Sequence, residues 1–138
     1  MKQWLAGTGL LTFLLMLAAF GRADEAESVK VLQKAKATII LDDQKPVGVI
    51  MWGPGYNGGL LKELKEIKNL QKLRIGGPWI NDDGVKELRE LKTLQMLEIR
   101  SPKVTDAALK ELQEALPKLK LRRASPGETP FAAFAEKK

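Results

Sequence analysis

Apolar and polar positions in the middle of this chain recur every 24 residues. Each unit opens with alternating apolar and polar residues, as in Leu73-Arg74-Ile75 and Leu97-Glu98-Ile99, and such alternation predicts a short strand with one buried face. Apolar residues then follow at every third position, which predicts one buried stripe of a helix. In two successive units these residues are Val85, Leu88 and Leu91, then Leu109, Leu112 and Ala115.

The same spacing aligns residues with other roles. The tripeptide Lys-Glu-Leu occupies positions 62–64, 86–88 and 110–112, and Asn57, Asn81 and Thr105 stand where a helix N-cap is expected. A strand and helix of this size cannot bury their apolar faces alone, so neighbouring units must stack. The prediction is an α/β fold: a short solenoid with parallel strands on its concave face and helices on its convex face.

These units resemble those of the leucine-rich repeat family. The family pattern Leu-x-x-Leu-x-Leu-x-x-Asn-x-Leu is similar to Leu70-x-x-Leu73-x-Ile75-x-x-Pro78-x-Ile80. The run Val-Thr-Asp-Ala-Ala-Leu-Lys-Glu-Leu at 104–112 resembles a motif of exported bacterial members. The resemblance covers residues 47–121 and implies the solenoid fold, with three units and a terminal strand, but it implies little about function.

One departure from the family pattern is systematic. The family's Asn position is Pro54, Pro78 and Pro102 in this chain, so the asparagine ladder of the family is not expected. Proline can end a strand without leaving an N–H unsatisfied. Glycines beside these prolines suit turns with positive φ, and they are Gly53, Gly55, Gly76 and Gly77.

The segments before and after the repeats do not follow the 24-residue pattern, and they are predicted to form a cap and a tail. Residues 24–46 have apolar residues at helical spacing and then a turn at 42–46 between alternating stretches, so a helix and a hairpin should cap the first unit. Residues 122–138 contain Ser-Pro-Gly and Thr-Pro, which indicate a disordered tail. Phe131 and Phe134 in this tail either dock on the solenoid or a partner, or stay exposed in a loose tail.

Residues 1–23 are predicted to be a signal peptide. Lys2 precedes an apolar stretch at 10–20, and Gly21 and Ala23 are small residues at the two positions that a signal peptidase reads. The apolar segment at 5–20 is shorter than the roughly 20 residues of a membrane-spanning helix, so cleavage after Ala23 is favoured over an uncleaved anchor. The mature chain is therefore expected to be exported to the periplasm or secreted.

Composition excludes several classes of enzyme. The 138 residues include no His and no Cys, so a Ser-His-Asp or Cys-His nucleophile, a thiolate or imidazole metal site and a disulfide are all excluded. The adjacent acids Asp42-Asp43 and Asp82-Asp83 lie in predicted turns, where Asp side chains commonly bond to backbone amides. The sequence therefore predicts a non-enzymatic protein with no cofactor and no metal.

Charge narrows the class of partner. The net charge of +6 falls to +4 without residues 1–23, because that segment holds Lys2 and Arg22 and no acid. This excess suits a protein or anionic ligand, whereas a nucleic-acid binder needs a denser basic stripe.

Binding is expected on the concave face, where side chains between the buried leucines point outward. Aromatic, Met and Arg side chains dominate the energetics of interfaces. The predicted partner-binding residues are Ile50, Trp52, Lys72, Arg74, Met96, Glu98, Arg100 and Lys120. Two alternatives stay open: these residues are only a solvated sheet surface, or the chain is an assembly module whose copies stack end to end as a homo-oligomer.

Overall fold

The chain forms a mixed α/β fold in a computed structural model that describes residues 23–125. Its helices are α1 (Ala23–Lys34), α2 (Leu60–Leu64), α3 (Asp82–Glu87), which a 3-10 helix (Leu88–Glu90) continues, and α4 (Asp106–Ala115). Its strands are β1 (Thr38–Asp42), β2 (Lys45–Trp52), β3 (Lys72–Gly76), β4 (Met96–Arg100) and β5 (Lys120–Arg123). Across residues 23–125, no helix is long and apolar enough to cross a membrane.

The five strands form one open sheet in the order β1-β2-β3-β4-β5. Strands β1 and β2 are antiparallel, and the three pairs from β2 to β5 are parallel. The partners across the parallel pairs are residues 24 apart in the sequence, since Val49 pairs with Leu73, Leu73 with Leu97, and Leu97 with Leu121. The α/β class and the predicted strand register are therefore confirmed.

One face of the sheet packs against the helices to form the core. Val49, Leu73 and Leu97 are fully buried, and so are the helix residues Leu64 and Leu112. Full burial of such a side chain stabilises the fold by about 1.5–3 kcal/mol. The predicted stripe is wrong at its last position: Ala115 is exposed and the next residue, Leu116, is buried, because the buried stripe of a helix advances by three and then by four residues.

The predicted amino-terminal helix and hairpin are present as α1, β1 and β2. The hairpin turn is tighter than predicted, because β2 already begins at Lys45. Asp43 and Gln44 both have positive φ, 47° and 64°, as a two-residue type I′ turn requires. Helix α1 is fixed to the first repeat through its buried Leu32 and through Ser28, whose hydroxyl donates to Glu63 Oε2 at 2.7 Å.

The predicted N-caps hold in two units of three. The side chains of Asn81 and Thr105 accept hydrogen bonds from the first turns of α3 and α4. Asn57 does not cap α2; its Oδ1 accepts from the backbone N–H of Gly59 at 3.0 Å, and α2 begins only at Leu60. An Asn side chain that bonds to the backbone two residues later favours a turn over a helix.

The carboxyl-terminal end of the sheet extends beyond the predicted repeat region. Strand β5 runs to Arg123, and Ala124 after it is buried, so the predicted start of the tail at residue 122 falls inside a strand. The pairing of Glu98 with Arg122 and of Ile99 with Arg123 holds these two residues in the sheet. Phe131, Phe134 and the predicted signal peptide up to Arg22 lie outside the described residues.

Candidate functional site

The outward face of the sheet carries side chains in three rows that run across the strands. The first row is Gly48, Lys72, Met96 and Lys120. The second row is Ile50, Arg74, Glu98 and Arg122. The third row is Trp52, Gly76 and Arg100. All eight residues predicted from the sequence lie in these rows, but the structure gives them unequal roles.

Glu98 and Arg74 are engaged with each other. The Glu98 side chain is 1% exposed and the Arg74 side chain 16%, and Arg74 Nε donates to Glu98 Oε1 at 3.2 Å. Alternation predicts both as solvent-facing contact residues, yet Glu98 is covered, since its neighbours in the second row are two arginines. The two side chains therefore hold each other in place on the face, and little of Glu98 is accessible at its surface.

Arg74 also holds the indole ring of Trp52. Its guanidinium carbon lies 4.2 Å from the ring centroid, which is within the range of a cation–π interaction. The half-buried Trp52 side chain is thus fixed on the face by the same arginine that pairs with Glu98.

Gly76 is the position over which the Trp52 ring lies. A Cβ at Gly76 would be 2.7 Å from Cε3 and 2.8 Å from Cζ3 of Trp52, far inside normal contact distance. Positive φ, expected from the sequence for four glycines, occurs at Gly53 (122°) and Gly77 (143°) and not at Gly55 or Gly76. Gly76 is therefore required for close approach of the indole, not for turn geometry.

Arg100 completes the third row on the other side of Gly76. It is half-buried, and its side chain has no ion pair and no hydrogen bond with any residue between 23 and 125. Arg74, by contrast, has two partners, and Lys72 and Arg122 each have one or more interactions. Arg100 is thus the cation of the third row that is available to a ligand.

An open pocket of about 310 Å³ lies beside the third row. Its walls are the three row residues and the proline column Pro54, Pro78 and Pro102, with Gly53 and Gly77 between them. The sequence pattern predicts these prolines only as the ends of strands. In the sequence, the three prolines stand at equivalent positions close to the third row, whose residue type changes from unit to unit. This combination was the signal that could have predicted a pocket here.

Trp79 is bonded to two of the residues that line the pocket. Its Nε1 donates to the carbonyl oxygens of Gly53 at 2.9 Å and Gly76 at 3.2 Å, and its ring packs 5.7 Å from that of Tyr56. The Tyr56 hydroxyl in turn donates to the Lys36 carbonyl at 2.9 Å. Trp79 therefore stabilises the loops after β2 and β3.

The other predicted residues lie away from the pocket. Ile50 is in the second row, and Lys72, Met96 and Lys120 are in the first. None of these four lines the pocket. They extend the outward face toward the amino ends of the parallel strands.

The acidic pairs singled out in the sequence have structural roles. The Asp82 carboxylate accepts from the backbone N–H of Thr105 at 2.8 Å and from its hydroxyl at 2.9 Å, and these two bonds lower the pKa of Asp82. Asp83 forms an i,i+3 ion pair with Lys86, and Asp42 and Asp43 lie at the hairpin turn. In the part of the chain that the structure describes, no group of three or more carboxylates is placed to hold a metal ion.

Comparison with known proteins adds no functional residue. No family model matches the chain, and no curated protein matches it.

Proposed function

We propose that this chain is an exported, non-enzymatic protein of the leucine-rich-repeat type that binds a protein or an anionic ligand through the concave face of a short solenoid. Support for the architecture comes from the strand register, in which residues 24 apart in sequence are neighbours in the parallel part of the sheet. Helices follow each of β2, β3 and β4, as stacked strand–helix units require.

The observation that carries the binding proposal is the third row. The Arg100 side chain has no hydrogen bond or ion pair among residues 23–125, and Arg100 stands across Gly76 from the indole of Trp52. Arginine and tryptophan are the side chains that most often contribute large binding energies at interfaces. The pocket beside them is lined by Trp, Gly, Pro and Arg, which supply neither a nucleophile nor a general base, so binding suits it better than catalysis.

The outward face also has the charge for an acidic partner. Its three rows hold five basic side chains, Lys72, Arg74, Arg100, Lys120 and Arg122, against the single carboxylate of Glu98. The face is small beside the roughly 800 Å² that each partner contributes to a standard interface. The partner is therefore a short segment, or it continues onto the loops that carry the proline column.

The test is affinity capture from the envelope and culture fluid of the host. The exported protein, Arg100→Gln and Lys110→Gln are used as baits; Lys110 is an exposed residue of α4 and its substitution removes the same charge. We expect a species retained by the parent and by Lys110→Gln but lost by Arg100→Gln. Equal retention by all three baits would contradict the site, and retention of nothing by any bait would contradict the binding function.

A second candidate is end-to-end assembly, which the open sheet edges favour. Among residues 23–125, strands β1 and β5 each pair on one side only, and Leu41 on β1 is 59% exposed. The basic β5 edge and the acidic turn after β1 are of opposite charge. Sedimentation that depends on protein concentration, and that is lost in Leu41→Ser, would support this candidate; a monomer at all concentrations would contradict it.

A further inference from the structure

The side chains that line the pocket beside the third row offer hydrogen-bond donors to a ligand and no acceptors. The Arg100 guanidinium carries five N–H donors and no acceptor. The carbonyls of Gly53 and Gly76 already accept from Trp79 Nε1, and the carbonyl of Arg100 accepts from the N–H of Gly77 at 2.9 Å. A ligand that binds to these side chains must therefore bring acceptors and negative charge.

The other side chains that line the pocket are apolar, and most of them are rings. Trp52 forms one wall, and Pro54, Pro78 and Pro102 supply pyrrolidine rings that have no N–H. The volume of about 310 Å³ is at the lower limit for ligand pockets in proteins, which suits one side chain or one small molecule. An apolar, ring-bearing group fills such a space and contacts the indole.

Building on the proposed binding function, we infer that this pocket binds a carboxylate joined to an apolar ring-bearing group. Two sources share this chemistry: the carboxyl terminus of a peptide that ends in an aromatic residue, and an acidic side chain next to such a residue. An arginine guanidinium binds a carboxylate through two parallel N–H···O bonds. An acidic sugar fits less well, because its hydroxyl groups are donors for which the lining has no side-chain acceptor.

The pocket is also prepared before the ligand arrives. Trp52 is fixed over Gly76 by Arg74, which is in turn held by the buried Glu98. Such preorganisation reduces the cost of ordering side chains on binding. The position of the Trp52 wall thus does not depend on Arg100. A substitution of Arg100 should therefore change the contact with the ligand and leave this wall in place.

The primary test uses phenylacetate and its neutral analogue phenylacetamide as probes of the exported protein. Two-dimensional NMR follows the indole N–H of Trp52 and the guanidinium N–H of Arg100 during each titration. We expect phenylacetate to shift both signals and phenylacetamide to bind at least about tenfold more weakly. Equal binding of the two probes, or shifts confined to β5 and its basic residues, would overturn the inference.

Variants connect the binding to Arg100. Arg100→Gln is expected to weaken phenylacetate binding about ten- to hundredfold, as for loss of a hydrogen bond to a charged group. Arg100→Lys keeps the positive charge but lacks the paired N–H donors of the guanidinium, so its affinity for phenylacetate should lie between those of the parent and of Arg100→Gln. Lys110→Gln serves as the charge-matched control and should bind as the parent does. Unchanged binding in Arg100→Gln, with its fold verified by the NMR spectrum, would overturn the assignment.

Three further ligands identify the source of the carboxylate. A blocked pentapeptide ending in Pro-Phe with a free carboxylate tests the chain terminus, its amidated form is the control, and an amidated peptide with internal Asp-Phe tests the acidic side chain. Either carboxylate arm binding above the control supports the inference. Tighter binding of galacturonate than of phenylacetate would overturn it in favour of an acidic glycan. Arg100-dependent capture of a host species without carboxylate binding would contradict this inference alone and leave the proposed function standing.

Discussion

Substitution of Arg74 by Met is expected to destabilise the fold far more than the same substitution at Arg100. Arg74→Met leaves the Glu98 carboxylate, 1% exposed, without the guanidinium that donates to it at 3.2 Å. Breaking a buried ion pair by removing one partner costs about 3–5 kcal/mol. The lower value applies here because Glu98 has a further interaction, so we expect a loss of about 3 kcal/mol.

The matched control is Arg100→Met, one strand away in the third row. The Arg100 side chain has no hydrogen bond or ion pair among residues 23–125, so its replacement should change the free energy of unfolding by no more than about 0.5 kcal/mol. For a domain of this size, 1 kcal/mol corresponds to about 4 °C in Tm, so Arg74→Met should melt about 12 °C below the parent. Thermal and urea denaturation followed by circular dichroism measure both quantities.

The double variant Arg74→Met, Glu98→Leu separates loss of charge pairing from loss of packing. Removal of both charges takes away the buried carboxylate that has lost its guanidinium partner, so most of the roughly 3 kcal/mol should be recovered. The reasoning is refuted if Arg74→Met is as stable as Arg100→Met, or if the double variant is less stable than Arg74→Met alone.

Three other predictions follow from separate features of the chain. Gly76→Ala places a Cβ 2.7 Å from Trp52 Cε3, so it should lower the free energy of unfolding by about 1–3 kcal/mol and weaken phenylacetate binding. The control is Gly55→Ala, whose Cβ meets nothing within 4 Å and which should have neither effect. Denaturation measures the stability of both variants, and NMR titration measures their binding. Hydrogen bonds from Thr105 lower the pKa of folded Asp82, so its charge stabilises the fold at neutral pH and this contribution is lost as pH falls from about 4 through the folded pKa. The difference in unfolding free energy between the parent and Asp82→Asn should therefore shrink over that range in urea titrations; a constant difference would contradict the assignment. Mass spectrometry of the protein recovered from its host should find Asp24 as the first residue, and an intact residue 1 would contradict signal-peptide cleavage.

The strands and their register were predictable because burial imposes a strict pattern on the backbone. Leu73 and Leu97 fill equivalent positions, so apolar residues at a constant spacing report the alignment of strands. Caps are also local, and Asn81 and Thr105 behave as predicted. Asn57 differs because two glycines follow it and the chain there forms a turn before the helix begins.

The arrangement of the pocket could not be read from the pattern. Alternation places Trp52, Arg74 and Glu98 on the outward face, but it does not say that Arg74 contacts both of the others. Such contacts depend on side-chain rotamers and on neighbours in adjacent strands, 24 residues away in sequence. Similarly, Gly76 has the sequence environment of a turn glycine, while its necessity comes from the Trp52 ring on the neighbouring strand.

Trp52, Gly76 and Arg100 occupy one and the same position of three successive units. The buried positions of these units carry similar apolar residues. In this row, by contrast, the side chain changes from a large ring to none and then to a cation. Duplication of one unit between β3 and β4 would leave the buried contacts equivalent but would separate Trp52 from Arg100 by about 4.8 Å more, one strand spacing. The number of units between the aromatic ring and the cation therefore sets the length of the ligand that can touch both, and this length can change only in whole strand spacings.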